Sequence, residues 1–164
     1  MKQFDIKSTK TINGNKFFIR PLPAYKCANL SGELAAMIAP ILTSVVPLVG
    51  GNDSVLDIDA ENIAPALAKG ASELSGDKVE SMLKKLLSTY NNVSVELEGD
   101  VETKILDDDL VNEVFCGEVQ DMFVLAFEVI KVNFSGFTKK LGTLFGDGLN
   151  GLLEKTRTSA NTES

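Results

Sequence analysis

Apolar residues recur at helical spacing most strongly between Phe115 and Phe137, in FCGEVQDMFVLAFEVIKVNFSGF. Val119, Met122, Phe123, Ala126, Phe127, Ile130 and Phe134 form one stripe at 3.6 residues per turn, and Phe137, Leu141 and Leu144 extend it past Gly136. The opposite arc holds Asp121, Glu128 and Lys131, with Val124, Leu125, Val129 and Val132 beside or among them. A helix apolar on nearly all sides has to be covered from more than one direction. The pattern predicts one continuous helix from about Glu118 to Phe134, with Phe123, Phe127 and Ile130 the most buried. Two readings follow: a central core helix, which is favoured, or a helix partly covered by another protein.

The rest of the chain alternates between strand and helix signals. Residues 3 to 20 predict a hairpin, because Phe4 and Ile6 alternate with polar neighbours and Asn13-Gly14 is a type I′ turn pair. Pro21 and Pro23 end it, and Pro23 suits the first turn of a helix over Ala24 to Ala39. Candidate core positions there are Tyr25 or Leu30, then Leu34, Met37 and Ile38. Leu34 to Asn52 carries no charge, but Pro40 and Pro47 interrupt it and no basic cluster flanks it. That favours two short helices meeting at Pro40 over a membrane span. Gly50 to Asp59 reads as a loop, and Ala60 to Leu74 as a helix interrupted by Pro65. Asp77-x-x-Glu80 resembles a capping box opening an amphipathic helix with Val79, Met82, Leu83, Leu86 and Leu87. Val93 to Leu97 and Val101 to Leu106 predict a second hairpin around Glu98-Gly99-Asp100. A short helix follows over Leu110 to Phe115, with Gly117 at its C′ position.

The expected fold is therefore α+β and mainly α-helical, with N-terminal and central β-hairpins and a helical bundle around the long apolar helix. Isolated two-stranded ribbons are marginal, so the hairpins are expected to join. The chain of 164 residues predicts one globular domain over 1–146 and a weakly ordered tail over 147–164. Gly136, Gly142, Gly146, Gly148 and Gly151 weaken the helix that Phe137, Leu141, Leu144 and Phe145 would otherwise support. A segment both apolar and unstable is suited to folding onto a partner.

Composition removes several function classes. A formal charge of −7 and a pI near 4.6 argue against nucleic acid as a partner. The chain has no histidine, which removes the commonest general base and metal ligand, and only two cysteines, Cys27 and Cys116. The carboxylates between Glu96 and Asp109, ending in Asp107-Asp108-Asp109, are the strongest candidate for cation binding. They match no EF-hand spacing, and capping of the helix beginning near Leu110 is the favoured role. Neither a nucleophile elbow nor a phosphate loop occurs. No catalytic residue, cofactor or metal is expected, and the protein is not expected to be an enzyme.

Three stretches carry a family likeness: TINGNKFFIRPLPAYKCANLSGELA, LLSTYNNVSVE and VNEVFCGEVQDMFVLAFEVIKVNFSGFTKKLGTLFG. They resemble tail assembly chaperones of long-tailed, siphovirus-type phages and prophages of Gram-positive bacteria. The resemblance covers most of residues 11 to 146. It implies a non-enzymatic protein of the host cytoplasm, absent from the mature virion, that binds the tape-measure protein and helps tail-tube protein polymerise around it. It also implies, in many such phages, a longer frameshifted product; the polar end KTRTSANTES is consistent with the shorter one. The residues assigned to partner binding are Phe123, Phe127, Ile130, Phe134, Phe137, Leu141, Leu144 and Phe145. A homo-oligomer is a further candidate assembly, and neither nucleic acid nor membrane is expected as a partner. The alternatives are a structural tail-completion or connector subunit, and a membrane-active protein using Leu34 to Val49.

Overall fold

The computed structural model describes residues 5–45, with side chains as far as Met37, and residues 74–134. It also describes Glu61, Pro65, residues 68–70 and Ser72. Strands β1 (Ser8–Ile12), β2 (Asn15–Ile19), β3 (Val93–Glu96) and β4 (Thr103–Ile105) form one antiparallel sheet in the order β1-β2-β3-β4. The helices are α1 (Ala24–Val45), α2 (Gly76–Leu87), α3 (Asp108–Val114) and α4, over residues 119–134. The described residues at 61, 65, 68–70 and 72 are also helical. The fold is α+β.

Each hairpin is closed by a local device. Asn13 (φ 48°) and Gly14 (φ 79°) both sit in the left-handed region, as a type I′ turn requires. In the second hairpin, Gly99 (φ 82°) turns the chain, and Asp100 accepts from the Glu102 backbone N–H at 3.2 Å and from Lys104 Nζ at 3.0 Å. Those bonds hold 101–102 in the turn, so β4 is shorter than the expected Val101 to Leu106 and Val101 is almost wholly exposed. The hairpins join through β2 and β3, with Phe17 opposite Val95 and Ile19 opposite Val93. Alternation then puts these four on one face, and all four are fully buried. The other face is polar, where Arg20 donates to Ser94 Oγ and Lys16 lies over the Phe18 ring. The N-terminal hairpin is shorter than expected. Ile6 lies outside β1 and half-exposed, although the Lys7 N–H still bonds Ile19 O, and Phe4 lies outside the described residues.

The apolar face shares one core with Leu30 and Leu34 of α1, Met82, Leu86 and Leu87 of α2, Leu106, Phe115, and Val124 to Phe134 of α4. Phe17 stacks on Phe115 at 5.6 Å between ring centroids, tying the sheet to the α3–α4 turn. Glu61 reaches the inward-facing Lys10 of edge strand β1 at 2.7 Å. An inward lysine on an edge discourages pairing with another chain.

Three helix expectations are corrected. α1 continues through Pro40 as one helix instead of breaking into two. A proline forfeits one backbone bond and kinks the helix, but propagation past it adds one bond per residue without a new nucleus. Tyr25 of α1 is exposed and Leu30 takes the core position. At α2 the cap position is Ser75, with no side-chain bond, so Asp77 and Glu80 form no capping box. The helix starts at Gly76, which places Asp77 inside the first turn, where its charge still complements the dipole. In α4, Phe123 is only half-buried, whereas Leu125 and Val129 from the opposite arc are fully buried. The helix is enclosed on both sides beyond Val124, and its first turn projects past that cover.

The expected loop Gly50 to Asp59, the helix continuing through Phe137, Leu141, Leu144 and Phe145, and the tail over 147–164 lie outside the described residues.

Candidate functional site

An open groove of about 670 Å³ lies between α2, α3 and the first turns of α4. Val79, Leu83 and Leu87 line one wall, spaced four residues apart on α2. Leu87 also belongs to the core with Met82 and Leu86, whereas the partly buried Val79 and Leu83 extend the apolar surface of α2 beyond it. Val111 of α3 and Val119, Met122 and Phe123 of α4 form the other wall. Val119 is 54% exposed, and Met122 and Phe123 are half-buried. Ala68, Ser72 and Leu74 close one end.

The α3–α4 wall is held by specific bonds. Asp107 caps α3 by accepting from the Leu110 N–H at 2.9 Å, the role favoured for it from sequence. Gly117 (φ 80°) then allows the sharp turn into α4, one position beyond the expected C′ site because the helix is capped at Phe115. Asn13 Nδ2 at the first hairpin turn donates to Asp121 in the first turn of α4. At the other end, Asn133 Oδ1 accepts from the Leu22 N–H at 2.6 Å, and its backbone carbonyl accepts from Cys27 Sγ at 3.5 Å. α4 is thus fastened at both ends to the chain flanking the first hairpin.

The groove rim is acidic. Glu80 and Asp108 line it, and Lys84 is the one basic side chain lining it among the described residues. Lys84 Nζ lies 2.7 Å from Glu80 and 3.8 Å from Asp108, whose other oxygen accepts from Ser88 Oγ. The hydrogen bond to Glu80 raises the Lys84 pKa and keeps that cation paired. From Leu106 to Ile130 the sequence holds seven carboxylates and no lysine or arginine. No group of three or more metal-ligating side chains occurs among the described residues, and no described helix is long and apolar enough to cross a membrane.

The model of the phage tail assembly chaperone family matches residues 13–146. The chain belongs to this family. Comparison with curated proteins and with solved structures gives no match. The matched span includes strands β2 to β4, all four helices and every wall of the groove, and leaves out β1. This chaperone therefore works in tail assembly, and its partners are tail proteins.

Of the described residues assigned to partner binding from sequence, Phe123 alone lines the groove. Phe127, Ile130 and Phe134 are buried in the chaperone's own core, and Phe137, Leu141, Leu144 and Phe145 lie outside the described residues. Sequence reasoning assigned no partner role to Val79, Leu83, Leu87 or Val111. The signal was present in α2, whose apolar arc spans two adjacent rows. Only the placement of α3 and α4 turns Val79 and Leu83 into part of a wall.

Proposed function

We propose that this chaperone binds the tape-measure protein of a siphovirus-type phage, keeps it soluble, and promotes polymerisation of tail-tube protein around it. The open apolar groove carries this reading, because a tail assembly chaperone needs a surface for an apolar client and the groove offers exposed and half-buried apolar side chains on two walls. The protein acts without catalysis in the cytoplasm of a Gram-positive host and leaves before the virion is complete. Residues 1–146 act as one chaperone domain, and residues 147–164 follow it as a weakly ordered tail.

Co-expression with the neighbouring tape-measure gene tests the proposal. The tape-measure protein is expected to be soluble and to co-purify with the chaperone, and to precipitate when expressed alone. Purified particles are expected to lack the chaperone. Its stoichiometric presence in intact tails would assign it instead to a tail-completion or connector role.

A further inference from the structure

We infer that the groove between α2, α3 and α4 is the docking site for an amphipathic helix whose apolar stripe is flanked by lysine or arginine. The inference rests on the tail-assembly reading and names the client segment that it requires. Two observations carry it. The walls present Leu83, Val119, Met122 and Phe123 around a volume of about 670 Å³, room for a few anchor side chains of one helix. Methionine and half-exposed aliphatic side chains also repack readily around different sequences.

The second observation is charge. Glu80 and Asp108 line the rim, Lys84, the one lining cation among the described residues, is already engaged by both, and residues 106–130, which form the α3–α4 wall, carry no basic residue. An incoming helix with acidic flanks meets repulsion along that wall, and one with basic flanks meets complementary charge. The same argument disfavours a second copy of this chain, which has a net charge of −7.

Two synthetic peptides of about 18 residues, or about five helical turns, serve as probes. They share one leucine stripe and differ only in carrying lysine or glutamate beside it. The full chain is expected to bind the lysine peptide and to bind the glutamate peptide more weakly, with the difference shrinking as salt is raised. Glu80→Lys, at a side chain 65% exposed, is expected to weaken the lysine peptide by about threefold or more. Val119→Lys should weaken both peptides by at least about tenfold, because it places a charge within the apolar wall. Tyr25→Lys, far out in solvent, should change neither.

Equal affinity for the two peptides, no binding of either, or full binding by Val119→Lys would overturn the inference. So would a dimer in sedimentation that Val119→Lys dissolves, because the groove would then belong to a second copy. The wild-type chain is tested in parallel for its ability to hold the tape-measure protein soluble. If it does so while the peptides fail, the groove assignment falls and the functional proposal stands. If it does not, the functional proposal falls.

Discussion

Single side chains fix the relation between α4 and the N-terminal hairpin. Pro21 and Pro23 have no backbone N–H, so Leu22 supplies the one donor of that three-residue connection, and Asn133 accepts it. Asn133→Ala strands this donor and is expected to lower stability by about 1–3 kcal/mol in denaturant unfolding. Phe127 is 4% exposed, so Phe127→Ala should cost about 3–5 kcal/mol in the isolated protein. A change below about 1 kcal/mol would instead put the ring on an interaction surface. The two cysteines should differ in reactivity. Burial pushes the Cys27 thiol up, which lowers its thiolate fraction, whereas Cys116 is exposed. Iodoacetamide labelling followed by mass spectrometry near pH 8 should modify Cys116 well before Cys27.

At the scale of the element, turns decide register and register decides burial. A one-residue slip of β2 against β3 would carry Phe17 and Ile19 to the polar face. Gly14 sets the register of the neighbouring β1–β2 pair. Any other residue there would have to hold φ near 79°, and its Cβ would come within 2.6 Å of the Glu98 carboxylate. Gly14→Ala should cost about 1–2 kcal/mol in backbone strain alone, read as a lower thermal midpoint. The second turn has a pH signature. The hydrogen bond from Lys104 holds the Asp100 carboxyl below its usual range. A lowered folded-state value means that the contribution is present above about pH 3.9 and is lost as pH falls through the lowered value. Asp100→Asn should therefore flatten the acid limb of the stability profile, and it also removes the partner that raises Lys104. Both groups are exposed, so the effect is small and salt-sensitive.

Across the whole molecule, the core joins one face of the sheet to α1, α2 and α4, and the groove begins where that core ends. Stability should fall off in the same direction. Native-state hydrogen exchange is expected to be slowest in β2, β3 and the buried middle of α4, and faster at Val119 to Phe123 and at Val79 and Leu83 of α2. Addition of the tape-measure protein should slow the second group and leave the first unchanged. Uniform slow exchange of both groups in the free chaperone would mean that the groove is rigid core.

The sequence by itself determined the elements whose signals are local. Asn13-Gly14 specified a type I′ turn, Asp107 a helix cap and Gly117 a left-handed turn after α3, because each depends on the conformation of one or two residues. The period of α4 likewise determined that a helix lies there and that it is buried on more than one side. Tertiary structure alone decided which side chains of α4 face the core and which face the groove. Phe123 and Phe127 share one predicted stripe, yet the first lines the groove and the second is enclosed. Periodicity reports the direction in which a side chain points, and the cover it meets there comes from elements distant in the chain. For the same reason Val79 and Leu83 of α2 become part of a wall only once α3 and the start of α4 stand opposite them, a placement fixed by long-range bonds such as Asn13 to Asp121.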